Sequence, residues 1–217
     1  MYHPMIHPPL AVTVDLVLMA VMEGHLAVLL QRRETEPFAG HLALPGGFVR
    51  VDEGLDEAAR RILRDKAGFA MGEDAWLEQL YTFGAPDRDP RMRTVSVAYF
   101  ALLPSAQLAQ AVGSRDDLDL EPVVGHPEPL AFDHTQILAT AHDRLKAKLD
   151  YTPIALALLP DMFTLRDLQI VHEAITGINL NKPAFRRRMI DTGWIEATGL
   201  RETETAFRPA ELYRQKS

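Results

Sequence analysis

A Gly-Gly turn set a fixed distance before one sharply bounded amphipathic helix is the feature that most constrains this chain. Leu42 to Pro45 is a short apolar stretch that ends at Gly46-Gly47, and Phe48 to Arg50 reads as a further short strand. Leu55, Ala58, Ala59, Ile62 and Leu63 then recur at the i, i+3, i+4 spacing of one buried stripe. That spacing predicts a helix over Leu55–Ala67, stopped by Gly68 in the C′ position. A one-sided helix needs an apolar face to cover, and the flanking segments read as strands. Val12 to Met22 and His25 to Gln31, joined by Glu23-Gly24, form a hairpin, and Trp76 to Phe83 and Val95 to Tyr99 are further strands. Ser114 to Asp119 is polar and acidic and reads as a surface loop, and Phe132 to Leu149 carries helical spacing at Ile137, Ala141, Leu145 and Leu149.

Past Asp150 the organisation changes, and 217 residues suffice for one large domain and one small one. Thr152-Pro153 opens a short apolar helix that ends near Pro160. Thr164 is placed as a helix N-cap, with Asp167 at N3 as a short-armed capping box and Phe163 and Leu168 as a hydrophobic staple. Leu165, Leu168, Val171 and Ile175 make the stripe, and Gly177 ends it. Asn181-Lys182-Pro183 starts a second helix that ends at Gly193, with Phe185, Met189 and Ile190 inward. Trp194-Ile195, a Thr198-Gly199 turn and Phe207 to Tyr213 complete a small hairpin. Helix, short turn, helix and hairpin is the layout of a winged helix-turn-helix. The expected domains are therefore 1–149 and 150–217, and the fold class is α+β.

Charge and composition narrow the function. The chain has 23 Lys and Arg against 30 Asp and Glu, for a net charge of −7, and the acidic excess lies entirely before residue 150. With no cysteine, a disulfide scaffold, a thiolate zinc site and a cysteine nucleophile are excluded. Leu10 to Met22 is interrupted by Asp15, is shorter than the roughly 20 residues of a membrane span, and is not preceded by Lys or Arg. A soluble cytoplasmic protein is the expectation. The eight histidines show no metal-ligand spacing, and His134 and His172 read as structural. No Gly-x-Ser-x-Gly elbow occurs.

The segment from Gly47 to Phe69 resembles the Nudix box. The family pattern is Gly, five residues, Glu, seven residues, Arg-Glu, an aliphatic, any residue, Glu-Glu, any residue, Gly, and an aliphatic or aromatic residue. Gly47, Glu53, Arg61, Leu63, Gly68 and Phe69 match with the spacing kept over all 23 positions. The resemblance implies an α/β/α sandwich with a mixed sheet. It also implies Mg²⁺ held by helix glutamates, and there the sequence departs. Ile62, Asp65 and Lys66 stand at those positions. Ile62 offers no oxygen and Asp65 is one methylene shorter. Lys66 would repel a divalent ion by about 8 kcal/mol at ~4 Å and an effective dielectric near 20. The box points to the fold and argues against hydrolysis, so no catalytic residues, metal or required cofactor are expected. Glu53 remains open between a helix N-terminal carboxylate and a residual ligand, and Glu57 and Arg61 are spaced for an i, i+4 pair.

Two arginine groups carry the binding expectations. From spacing alone, Arg88, Arg91 and Arg93 read equally as a diphosphate clamp or as a solvated loop of alternating charge. Tyr81 to Tyr99 also resembles the matching stretch of Nudix proteins related to ADP-ribose pyrophosphatases, which implies the clamp. The expected ligand site lies between Gly46-Gly47 and this loop, with Arg33 and Lys66 adding charge. On the second helix of the C-terminal segment, Arg187 points away from Phe185 and Met189, flanked by Arg186 and Arg188, with Lys182 near the start. That suits a recognition helix for double-stranded DNA.

The whole chain, from about Leu10 to Arg214, resembles the Nudix-related transcriptional regulators of NAD metabolism, the NrtR type. Besides the box, the resemblance rests on Lys148 to Pro153, Phe163 to Gly177, Phe185-Arg186-Arg187 and Arg208-Pro209-Ala210. It implies a homodimeric repressor that binds an operator and senses ADP-ribose or a related nucleotide. The Phe132–Leu149 helix links the domains and is the expected lever between them. An active Nudix hydrolase, or a nucleotide-binding module whose C-terminal domain binds protein, are the alternatives. Ile62 and Lys66 argue against the first, and Arg186 to Arg188 against the second.

Overall fold

The computed structural model describes residues 9–68, 76–125, 129–203 and 209–216. Phe69 of the box, and Phe207 and Arg208 of the expected hairpin, lie outside the described residues. The apolar N-terminal run forms the long strand β1 (Ala11–Met22), which turns back into β2 (His25–Arg32). Short strands β3 (Leu42–Ala43) and β4 (Gly46–Phe48) follow. β3 pairs with β2, while β4 pairs antiparallel with the start of β1, Gly46 opposite Asp15 and Gly47 opposite Val14. One edge of β1 therefore meets β2 at one end and β4 at the other, and the sheet forks between them. The expected strand Phe48–Arg50 thus begins two residues early. A Cβ on Gly46 would overlap the Asp15 carboxylate, so only glycine permits this close pairing.

Helix α1 (Leu55–Ala67) forms as its periodicity predicts and buries Ala58, Ala59, Ile62, Leu63 and Ala67. Gly68 closes it in the left-handed conformation at φ 78°. Strands β5 (Leu77–Phe83) and β6 (Thr94–Leu102) complete the far side of the sheet, β6 running parallel to β1. Helix α2 (Ser105–Gly113), which the sequence reading did not identify, joins α1 on one face through the buried Leu108. The expected surface loop Ser114–Asp119 instead runs into strand β7 (Leu118–Pro122), whose pairing with β2 satisfies the backbone groups of that edge.

On the other face lies α3 (His134–Lys148), starting two residues later than predicted because Phe132 adopts φ 57°, outside helical space. A short 3-10 helix (Ile154–Leu158) and strand β8 (Phe163–Thr164) lead into α4 (Leu165–Thr176) and α5 (Lys182–Asp191). Thr164 Oγ1 accepts from Asp167 N at 3.2 Å and Asp167 returns a bond to Thr164 N at 2.8 Å, so the short-armed capping box closes. Such a cap stabilises a helix by about 1 kcal/mol. Asn181 caps α5 through Ala184 N. Strand β9 (Ile195–Arg201) runs through the expected Thr198-Gly199 turn, with Gly199 at φ 76°, and pairs with β10 (Glu211–Gln215), which also pairs with β8. Ile190, expected inward, is 47% exposed, since Phe185 and Met189 already fill the inner face.

Alternation along β1 divides the core. Val14, Leu16, Leu18 and Ala20 meet α1 and α2, whereas Val17 and Met19 join α3. The α3 side is continuous with the C-terminal helices through Ile137, Ala141 and Leu145 against Leu168, Val171 and Ile175. Among the described residues, no helix is long and apolar enough to cross a membrane.

Candidate functional site

The fork in the sheet opens into a cavity of about 550 Å³. Its floor is Thr13 and Asp15 of β1, and Gly46 and Gly47 stand at its wall with Phe48. Lys66 borders it from the end of α1, as does Arg33 from the end of β2. Arg32 and Arg115 border it as well, although sequence reasoning passed over both. Arg115 had been hidden in an acidic stretch that read as a loop. Its guanidinium grips Asp117 at 2.8 and 2.6 Å and donates to Asp65 O at 3.2 Å, which lays it across the end of α1.

The expected arginine clamp is only partly realised. The Arg88 side chain is 4% exposed and forms a two-point bridge to Asp133 at 2.9 and 2.7 Å, with Asp15 at 3.3 Å. Desolvation opposes its charge, but the Asp133 hydrogen bonds and Asp15 more than offset this and raise its pKa. It borders the cavity as a fixed structural tie and not as a free cation. Arg91 also borders the cavity, chelating Asp89 at 3.0 and 2.7 Å. Arg93 does not border it. Its guanidinium donates to the carbonyls of Gly84, Ala85 and Thr94, because the loop folds back on β6.

Arg33 is half-buried and held by backbone carbonyls. It donates to the carbonyls of Pro37 and Thr35, and its Cζ lies 4.8 Å from the Phe132 ring centroid. Burial first, and Arg91 second, lower its pKa from the ordinary value. Arg91 stacks on the same ring at 5.6 Å and reaches Phe48 at 6.0 Å. Phe48 and Phe132 were not anticipated as cavity residues, since a lone aromatic at the edge of an element carries no periodic signal.

The box residues are placed against metal chemistry. Glu53 is neither a free N-terminal carboxylate nor an available ligand. Arg61 takes both of its oxygens, at 2.8 and 2.6 Å, and Arg50 N donates to it as well. The Arg61 hydrogen bond, above all, lowers its pKa to about 2. Glu57, expected to pair with Arg61, instead accepts from Gly54 N at 2.8 Å and caps α1. Ile62 is 1% exposed in the core beneath Gly47. With an alkyl group, a shortened acid and an ammonium at the three ligand positions, these residues do not fit Mg²⁺.

A second surface lies on α5. Lys182, Arg186, Arg187 and Arg188 are exposed, and the Arg187 side chain is 86% exposed with Asp191 at 3.7 Å. Arg188 lies over Phe185 at 5.8 Å and 4.0 Å from Asp150. The buried His172 stacks edge-on against Phe185 at 5.0 Å, and desolvation lowers its pKa to about 4, so it is a neutral support under this helix.

A forked mixed sheet between helices, with a cation-lined cavity and a trailing winged helix, defines a Nudix domain joined to a DNA-binding module. Comparison with known proteins agrees at both ends. The NUDIX domain model matches residues 9–140, and the NrtR DNA-binding winged helix domain model matches residues 155–215. The ADPR responsive transcriptional repressor NtrR of Acinetobacter baylyi is 39% identical over 96% of this chain and 83% of its own length. The crystal structure of Shewanella oneidensis NrtR complexed with a 27mer DNA superposes with a TM-score of 0.81 at 36% identity, covering 94% of this chain and 93% of that one. The NUDIX domain of the same protein complexed with ADP ribose gives 0.56 at 35% identity, covering 66% of this chain and 94% of that one. The chain belongs to the NrtR family of Nudix-related transcriptional regulators.

Proposed function

We propose that this protein is a DNA-binding transcriptional repressor that senses ADP-ribose, or a related nucleotide, in a Nudix domain that no longer hydrolyses it. One observation carries the reading: a cavity bordered by Arg32, Arg33, Lys66, Arg91 and Arg115 shares a chain with the exposed Arg186–Arg188 face of a winged helix. The relatives whose names and structures combine DNA with ADP-ribose favour the same ligands here. Residues 1–149 form the sensing domain and 150–217 the operator-binding domain, and the protein acts as a cytoplasmic homodimer.

In this reading the diphosphate is held by protein cations. Lys66 supplies positive charge where a hydrolase would place a carboxylate, so binding needs no divalent metal. Gly46 and Gly47 form the wall beside the ligand. On the operator, Arg187 contacts base edges while Arg186, Arg188 and Lys182 contact phosphates. The test is a gel shift on the DNA upstream of the protein's own gene, with and without ADP-ribose. Specific binding weakened by ADP-ribose is the expected result. Absence of specific binding overturns the repressor reading. ADP-ribose turnover near ~1 s⁻¹ with Mg²⁺ or Mn²⁺, ordinary for an enzyme, establishes the hydrolase instead.

A further inference from the structure

The wall of the cavity and the start of α3 are the same few residues. Phe132 borders the cavity, Asp133 precedes α3, and His134 is its first residue. Phe132 is held at φ 57°, a left-handed conformation that an aromatic residue adopts only when its surroundings impose it. Those surroundings are mostly rings and cations: Arg33 at 4.8 Å, Arg91 at 5.6 Å, and the Phe38 ring at 4.9 Å, edge-on. On either side, Arg88 fixes Asp133, and His134 Nδ1 accepts from Leu44 N at 2.9 Å.

The far half of α3 holds the winged helix. His142 Nε2 donates to Ile175 O at 2.9 Å, near the end of α4. Ile137, Ala141 and Leu145 share one core with Leu168, Val171 and Ile175. A movement at the start of α3 therefore reaches α4, and through it α5, by direct contact.

We propose that Phe132 is the trigger that couples ligand binding to DNA release. This rests on the effector reading above and adds its mechanism. A diphosphate is a stronger partner for a guanidinium than an aromatic face. On entering, it draws Arg33 and Arg91 off the ring. Phe132 then loses the contacts that hold it left-handed, its backbone relaxes, and the first turn of α3 shifts with it. Two guanidiniums on one ring repel each other, so the anion is attracted to the point where it acts. Ligand and DNA thus select different positions of α3, as a reciprocal coupling requires.

The test measures DNA affinity by fluorescence anisotropy, with and without saturating ADP-ribose, in the full chain and in Phe132→Gly. Glycine accepts φ 57° without strain and carries no ring. Wild-type affinity for DNA should fall about thirtyfold with ADP-ribose. In Phe132→Gly the fall should be less than about threefold. Calorimetry sets the saturating concentration for each protein. A second readout needs no variant: amide exchange in residues 134–138 of the wild type should speed up when ADP-ribose binds. Full coupling in Phe132→Gly, or exchange that does not respond, overturns the trigger alone. Wild-type DNA affinity that ignores bound ADP-ribose overturns the effector reading and the trigger together.

Discussion

Three arginines fall within six residues at Arg88, Arg91 and Arg93, and three more stand in a row at Arg186, Arg187 and Arg188. As sequence, the two groups look alike. In the fold, the guanidiniums of the first are held by partners: Arg88 by Asp133 and Asp15, Arg91 by Asp89, and Arg93 by backbone carbonyls. The second stands on an exposed helix face, where Asp191 and Asp150 approach only to 3.7 and 4.0 Å. Acids decide the difference. Asp89 lies inside the loop, while Asp15 and Asp133 arrive from a strand and a helix far away in sequence. A run of cations is open to an external anion to the extent that the fold has not already provided an internal one.

The largest effect that could break this contrast is on stability. Arg88→Ala leaves Asp15 and Asp133 buried without their counter-ion and should destabilise by about 3–5 kcal/mol, measured by urea denaturation. Arg187→Ala should change stability by less than about 0.5 kcal/mol. An Arg88→Ala protein as stable as wild type would show that the first group is not structural.

Function should invert the order. Arg187→Ala is expected to cost about 1–3 kcal/mol in operator binding and to relax base preference. Lys182→Ala should weaken all sequences alike, with a shallower salt dependence. Anisotropy at matched salt separates the two, and unchanged specificity in Arg187→Ala would remove α5 as the reading helix.

In the cavity, Lys66→Ala should cost ADP-ribose about 1.5 kcal/mol, or roughly tenfold in affinity, as loss of one charge-assisted contact. Arg93→Ala should leave the affinity unchanged, because that side chain does not border the cavity. Calorimetry with a chelator present should match calorimetry without it. Equal losses at Lys66 and Arg93 would mean that general charge, not placement, attracts the ligand.

The smallest effect concerns the Glu53–Arg61 pair. Hydrogen bonding from Arg61 lowers the folded-state pKa of Glu53 from 4.5 to about 2. A lowered folded pKa contributes stability that is complete above 4.5 and disappears as pH falls through about 2. Wild type should therefore melt slightly above Glu53→Gln at pH 6, and the gap should close on acidification. A gap that is constant with pH would mean that the pair contributes through packing alone.

Much of this was legible in the sequence. The stripe Leu55 to Leu63 with its glycine stop placed α1, and Thr164 with Asp167 fixed the start of α4, since both signals are local and periodic. Ile62 and Lys66 stood out from the family pattern in the sequence, because box spacing assigns each position a role. Strand β7 was not legible, because the acidic run through Asp119 read as a surface loop until β2 needed a partner along its edge. The same holds for Arg115, which borders the cavity only because the chain returns there from α2.

What the sequence alone determined is most of the elements and the two-part organisation. Helix periodicity, caps and motif spacing act over a few residues, so they survive in one dimension. Tertiary structure decided which cations are free. Arg88 is neutralised by residues 73 and 45 positions away, at Asp15 and Asp133. Arg33 and Arg91 face a single ring at Phe132. Electrostatic partnership depends on distance in space, and only the folded sheet and helices bring those groups within hydrogen-bonding range.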